Sequence, residues 1–554
     1  MTEPKLRGAR VRPLLGSTVS NGSTIHCTVT SAWAWDGVLA LLTLIWSYGF
    51  IRLFFPGRVN VDIGNQYRQA LGEVPVTDWH PPVMSAVWRV LIDVTGQAGS
   101  LLVLQVGMLA LAAWLVGVLI HRIGAPRWVS LLGPAIMATP WVLSQMTTLW
   151  KDTQMGVAML LAVLLLVFAR FAPRPGMIWA PWIVAIFLLV YALGLRKNAL
   201  FAIVPIAVYF GFCLVRRFRR RGDSPRRAVL ATAGVSVLVL ALLGGGVKAT
   251  DAAISSVVEV EPTGQISQIF LDDVMFSVPE AELQVSDAPE ELKDHISSAR
   301  DKCLEMGEIW DAYWNCYGRG ETGKAFSPIA YQDELKDLWL SEVVTHPVRY
   351  AEYRAAVFSY YFFSSKLEYW EADWNGDATK VGYGHGSVKA DYIFKPYVED
   401  FALGTFPMLF KPWFWTLLAA LLLGLGLWTR RKGRPAASEP ARPRAQDSAA
   451  SDRAEVAADR TSGGRTLWPE VTMLATSALC YIFGYFPIVP ANHFRYTFWP
   501  ALAVTVATVL VVAMWRSGRL RGGRPTATVG ERSGRAGRPA VATPPTRASS
   551  ESET

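Results

Sequence analysis

The sequence is poor in charge: only 18% of its 554 residues are Asp, Glu, Lys or Arg, against about 25% in an average soluble domain. Histidine and cysteine are also scarce, at 7 and 5 residues. No pair of them has zinc-ligand spacing, and no P-loop or Gly-x-Ser-x-Gly elbow occurs, which argues against nucleotide hydrolysis and serine-hydrolase chemistry. There is no internal repeat of fixed period. The formal charge of +9 does not mark a nucleic-acid partner, because the basic residues sit in short clusters beside apolar runs. That is the pattern of topology signals.

What is present is apolar sequence. Hydrophobic residues make up 51% and the mean hydropathy is +0.25, with runs of roughly 17–25 residues, long enough to span a hydrocarbon core. The spans are expected near Trp35–Phe55, Leu101–Ile120, Trp128–Ser144, Thr153–Phe171, Ile178–Leu195, Ala199–Val215, Ala228–Val247, Trp413–Trp428, Val471–Val489 and Phe498–Trp515. Lys5, Arg7, Arg10 and Arg12 precede the first, and no small-residue cleavage site follows it, so it reads as a retained signal anchor. With the N-terminus inside, the clusters His121-Arg122 with Arg127, Arg170 with Arg174, Arg216 to Arg221 and Arg430-Arg431-Lys432 all fall on the cytoplasmic side, as does the basic tail.

The fold class expected is an all-α polytopic membrane protein with about ten transmembrane helices, an interfacial helix in the first outer loop and a mainly helical extracytoplasmic domain. The chain divides into a cytoplasmic N-terminal tail (1–32), a membrane core (33–247) with its first outer loop at 56–100, and an extracytoplasmic domain (248–409). A span (410–429), a disordered cytoplasmic linker (430–467), two more spans (468–515) and a disordered cytoplasmic tail (516–554) follow. In the extracytoplasmic domain, Cys303 and Cys316 would close a loop of about 14 residues, a bridge contributing on the order of 3 kcal/mol. A disulfide is the reading expected in that compartment; free thiols or a metal pair are the alternatives, without His at ligand spacing.

Five polar clusters fall on the outer side: Asp62, Asp78-Trp79-His80, Lys151-Asp152, Arg196-Lys197 and His493-Phe494-Arg495. Arg196-Lys197 opposes the positive-inside bias with spans on both sides, and phosphate suits a guanidinium fork; snorkelling to head groups is the bland alternative. Asp62 offers a general base for an acceptor hydroxyl, or else caps a helix. Asp78 and His80 lie at the start of an amphipathic helix opened by Pro81-Pro82 and too short to span, where the helix dipole favours an anion; they either have a functional role there or cap and pack. Lys151 and Asp152 either join the polar site or snorkel and cap. Arg495 is the phosphate or head-group contact of the last outer turn, and His493 is a second site residue or a turn histidine. His346-Pro347 opens a helix with aromatic spacing, expected to pack the outer domain onto the membrane.

The stretches Asp62-Ile63-Gly64-Asn65-Gln66, Asp78-Trp79-His80-Pro81-Pro82, Trp150-Lys151-Asp152, Arg196-Lys197-Asn198 and Phe494-Arg495-Tyr496 resemble those of bacterial members of the GT-C superfamily. These are multi-spanning glycosyltransferases that use polyprenyl-phosphate sugars. The resemblance covers roughly Trp35 to Val247 and the last two spans. It implies a hexosyl- or pentosyltransferase of the bacterial plasma membrane, with both termini cytoplasmic and the active site extracytoplasmic, serving cell-envelope or cell-wall biogenesis. It makes Asp62 the catalytic base and Arg196, Lys197, Arg495 and Lys151 the donor-phosphate contacts, with Asp78 or His80 orienting the acceptor. The acceptor would be an envelope glycan, lipid or protein. Many relatives carry a second acid beside the first; here Ile63 follows Asp62, so no metal ligand set is defined and a divalent metal stays open. A transporter or flippase of a lipid-linked precursor is the alternative, disfavoured by spans that read as clean, and an envelope scaffold is a third reading.

Overall fold

The computed structural model describes residues 21–172, 175–218, 224–319, 323, 326–364, 376–384, 388–432, 466–489 and 491–520. The basic residues at 5–12, Arg174, Arg219 to Arg221, and almost all of the linker and C-terminal tail lie outside them. In chain order the main helices are α1 (Asn21–Phe54), α2 (Val61–Leu71), α3 (Val83–Thr95), α4 (Ser100–Arg122), α5 (Lys151–Phe171), α6 (Trp179–Leu195) and α7 (Ala199–Phe218). They continue with α8 (Pro225–Ser255), α9 (Ser267–Ser277), α10 (Glu290–Met306), α11 (Pro347–Phe363), α12 (Pro412–Lys432), α13 (Trp468–Gly484) and α14 (Phe498–Arg516). Long apolar runs become helices because away from water a helix satisfies its own N–H and C=O groups. Among the described residues 8 helices are long and apolar enough to cross a membrane: α1, α4, α5, α6, α7, α8, α12 and α14. The chain is a multi-pass, helical membrane protein.

One expected span is not a single helix. Residues 127–146 form the short helices Arg127–Ser130, Leu132–Ala135 and Pro140–Met146, with a 3-10 turn at Ile136–Ala138. Pro134 and Pro140 have no N–H to donate and crowd the preceding turn, and the helical run is interrupted on either side of Pro134 and just before Pro140. Gly133 meanwhile presses on α4 so closely that a Cβ there would stand 2.5 Å from the Gly117 nitrogen. The reading of uniformly clean spans is corrected here. The segment still runs the length of the bundle: Arg516 lies over the Trp128 ring at 5.1 Å, and Thr147 and Leu149 bond the Arg58 backbone beyond α1. Helix α13, of 17 residues, also runs end to end, from Glu470 on Arg170 to Tyr485 beside Tyr361.

The two ends of the bundle differ. The basic end carries Arg122, Arg127, Arg170, Arg216 and Arg516. There Asp36 of α1 binds His121 and Arg122, and Glu470 of α13 binds Arg170 and Tyr209. The polar end carries α2 and α3, two short helices where one was expected. Asn60 caps α2 by accepting the Ile63 N–H at 3.0 Å, and Gly72 closes it at φ 76°.

A second apolar core is built beside the polar end from α9, α10 and the segments that follow, around Leu271, Met275, Leu292, Ile296, Tyr313 and Leu335. Cys303 and Cys316 are joined in a disulfide, their Cα atoms 5.5 Å apart. Several contacts tie this unit to the bundle. Strand β1 (Val76–Thr77) pairs in parallel with β2 (Val260–Glu261), and α11 places the Tyr361 hydroxyl 3.2 Å from the Thr497 hydroxyl at the start of α14.

Within this core, Asp272 accepts the N–H groups of Ala312 at 3.0 Å and Asp311 at 3.2 Å. Burial nevertheless pushes its carboxyl up to about 7, with Asp273 adding to the rise and Ala312, Arg354 and Asp311 opposing it. The folded-state value lies above the unfolded one, so this contribution to stability is complete below the ordinary carboxylate range and is lost as pH rises through 7. Melting temperatures should therefore fall between pH 5 and pH 8 in wild type, by at most about 3 kcal/mol of stability. Asp272→Asn, which mimics the neutral acid, should flatten that fall; an unchanged slope in the variant would remove Asp272 as its source.

Candidate functional site at the polar end of the bundle

Asp62 sits in the first turn of α2, immediately beyond the Asn60 cap. The chain before it is fixed by Arg58, whose backbone bonds Thr147 and Leu149 and whose guanidinium pairs with Asp391 at 2.7 Å over the Phe394 ring. One Asp62 oxygen accepts from Arg495 Nη1 at 3.2 Å; the other faces His80 Nε2 at 3.8 Å. The side chain is 15% exposed, so the carboxylate is held yet reachable.

The next parts come from α5 and the α6–α7 turn. Lys151 and Asp152 open α5 and both are buried. Lys151 Nζ donates to His80 Nδ1 at 2.8 Å. With Lys151 as the ammonium, which only donates, His80 carries its proton on Nε2, the nitrogen that faces Asp62. Burial, then Lys151, Arg196 and Arg495, hold the His80 pKa well below the usual histidine value, and the ring is neutral. Asp152 accepts from Arg196 Nη2 at 2.7 Å, and Arg196 lies 5.4 Å from the Tyr496 ring centre.

The turn before α14 completes the cluster. His493 Nδ1 accepts the Arg495 N–H at 3.0 Å, closing a tight turn that aims the guanidinium inward. Arg495 lies over Trp150 at 4.4 Å and also donates to the Tyr496 hydroxyl at 2.9 Å. Burial first, then Arg495 and Arg196, lower the His493 pKa well below the ordinary value.

Of the residues singled out from sequence, the structure thus brings together Asp62, His80, Lys151, Asp152, Arg196, His493 and Arg495. It does not bring in Asp78 or Lys197. Asp78 accepts from the Thr263 N–H and hydroxyl at 2.6 and 2.5 Å, which anchors the segment beside β2. The N-terminal end of α3 is set instead by Pro82, without a side-chain cap. Lys197 is exposed and has no ion pair among the described residues. Neighbouring residues separate here because the chain leaves the helical register at Arg196, whose backbone is extended at φ −148°.

Other members were not singled out. Tyr496 and Trp150 flank the Arg495 guanidinium, and Phe326, held at φ 68°, sets its ring 5.0 Å from that of His80. Asn65 and Gln66 stand three and four residues beyond Asp62, the spacing of one helical face, and each keeps a buried polar atom without a partner. Recognising α2 as a helix would have exposed that face. Arg196 Nε, Asp152 Oδ1, His80 Nε2 and Asn198 Oδ1 are likewise buried and unpartnered. Buried polar atoms are rarely left unsatisfied, so their concentration marks a place for a polar ligand.

A divalent cation does not fit this cluster. Among its described residues Lys151, Arg196 and Arg495 face only Asp62 and Asp152, and both carboxylates are already bonded to guanidinium groups. The donor set suits an anion. No family model, curated protein or solved structure matches the chain.

Asp152 is fully buried and Arg196 is 18% exposed. Arg196→Gln should destabilise the protein by about 3 kcal/mol, because it strands a buried carboxylate. Arg196→Gln with Asp152→Asn should recover most of the loss in detergent melting experiments. Equal melting of the single and double variants would mean that the pair does not hold this end together.

Proposed function

We propose that this protein is a membrane glycosyltransferase that moves a sugar from a polyprenyl-phosphate donor to an envelope glycan, lipid or protein acceptor on the outer face, with Asp62 as general base. The observation that carries the reading is the convergence of Asp62 with Lys151 and Arg196 from three separate elements, amid buried polar atoms that lack partners. Together with the residue-level resemblance to the GT-C superfamily, it favours chemistry on a lipid-linked phosphodiester at the membrane rim. Asp62 and Asp152, each already bonded to a guanidinium, favour a metal-independent step.

Asp62 takes the proton of the acceptor hydroxyl while that oxygen bonds to the sugar C1. The C1–O bond to phosphate breaks through an oxocarbenium-like state, and polyprenyl phosphate departs with the electron pair. Arg196 and Lys151, with Arg495 beside them, stabilise the charge on the leaving phosphate where low dielectric strengthens the attraction. His80 is a positioning residue: Lys151 fixes its tautomer, and its Nε2–H faces the base at 3.8 Å. Asp78 has a structural role through Thr263.

The broken segment at 127–146 gives the transporter reading one feature that broken helices of transporters share. Its backbone is taken up in local turns, with Thr139 bonding Ile136 and Leu143 bonding Thr139, and the cationic cluster lies at its far end. The enzyme reading therefore stands first. Purified protein incubated with polyprenyl-phosphate sugars from native membranes, with crude envelope as acceptor, should consume one sugar-lipid and release polyprenyl phosphate, followed by mass spectrometry. Asp62→Asn, which keeps an oxygen for Arg495, should lower turnover by about 10²–10⁴-fold in the folded fraction, with melting read in parallel. Full activity in a folded Asp62→Asn protein would remove Asp62 as base; no consumption by wild type would move the transporter to first place.

A further inference from the structure

At the basic end, well away from the cluster around Asp62, helices α7, α8 and α13 leave a groove of about 1010 Å³. That is at the upper end of the range of about 300–1,000 Å³ for small-molecule pockets. Its walls are apolar, with Val208, Phe212, Val229, Ala233 and Met473 among them, and Arg216 closes the end toward the basic rim. The groove exists because α7 and α8 approach closely at one crossing and part on either side of it. Gly211 makes that approach: a Cβ there would stand 2.8 Å from the Ser236 hydroxyl and the Thr232 carbonyl. Polar groups within the walls are directed back into the helices, Thr232 to Ala228 O and Ser236 to Thr232 O, leaving a hydrocarbon surface.

The mouth is cationic. Arg216 and Arg217 end α7, while Arg226 and Arg227 begin α8. None of the four forms an ion pair among the described residues. The buried acid of this end, Glu470, is engaged by Arg170 and the Tyr209 hydroxyl and so does not neutralise them. Arg216 on the groove wall, with Arg226 next to the lining Pro225 and neither in an ion pair among the described residues, matches one kind of molecule, with hydrocarbon chains and an anionic head. A zwitterionic lipid would leave the rim charge unanswered.

We propose that this groove is a binding site for an anionic glycerophospholipid of the leaflet at the basic end, which the positive-inside pattern makes the cytoplasmic leaflet. The acyl chains lie between α8 and α13, and the phosphate sits at Arg216 with Arg226 beside it. The site is independent of the transfer chemistry proposed at the other end, and it steadies the α7–α8 pair that extends from the α6–α7 turn carrying Arg196.

The test uses full-length protein, delipidated in detergent and titrated with phosphatidylglycerol or phosphatidylcholine, with bound lipid counted by native mass spectrometry. Wild type should retain phosphatidylglycerol at least tenfold more tightly than phosphatidylcholine. Arg216→Gln and Arg226→Gln should each weaken phosphatidylglycerol about fivefold, matching about 1 kcal/mol per basic residue near a membrane surface. Ala233→Trp, which fills the groove from an exposed helix position, should abolish retention of either lipid. Because Arg216 and Arg226 are exposed, those variants fold as wild type does and the test survives failure of the tryptophan variant. Equal retention of the two phospholipids, retention untouched by Arg216→Gln, or occupancy by a polyprenyl chain or detergent alone would each overturn the proposal.

Discussion

Placing Arg196 and Arg495 at the rim of an apolar helix bundle sets the terms for everything around them. An unpaired charge there is costly, so each guanidinium needs an acid or an aromatic face at once. Arg196 finds Asp152 and the Tyr496 ring; Arg495 finds Asp62 and the Trp150 ring. These pairings join α2, α5, the α6–α7 turn and the turn before α14, elements separated by up to 433 residues of sequence. Asp62 is therefore fixed in place by the same cation that, in the proposed reaction, acts with Arg196 on a phosphate. Held acid and phosphate contact are two uses of one arrangement.

The second apolar core is not a separate appendage. In the stretch Asp78-Trp79-His80 three consecutive side chains have three different fates. Asp78 binds Thr263, Trp79 enters the second core against Tyr313 at 4.5 Å, and His80 turns to Lys151. The chain leaves strand β1 after Thr77 and bends through these three residues, which lets one short stretch join two cores and a site. Phe326 of the second core touches both Trp79 and His80. The orientation of His80 toward Asp62 thus depends on the folding of residues about 250 positions later in the chain, through Phe326 and Tyr313.

The two ends of the bundle treat charge in opposite ways. At the polar end cations are buried and paired inside the protein. At the basic end two buried acids, Asp36 and Glu470, lock helices together, while Arg216, Arg226 and Arg227 remain exposed at the surface. The first pattern leaves buried polar atoms without partners among the paired charges, and the second leaves arginines on the surface.

Composition and hydropathy by themselves determined that this is a multi-pass helical membrane protein, because spanning a bilayer is a demand each apolar run meets alone. The oddity of Arg196 beside Lys197 was also visible, since charge against the local bias needs no structure to notice. Which of the two enters the cluster was not visible, because that depends on an extended residue at the end of α6. Nor were the break at Pro134 and Pro140 within an apolar run, the helical state of the segment holding Asp62, or the partnership of Asp78 with Thr263. Hydropathy averages over a window and is blind to a single missing N–H. Above all, the pairings of Asp62 with Arg495 and of Lys151 with His80 join residues remote in sequence, and only the packed bundle decides that they meet.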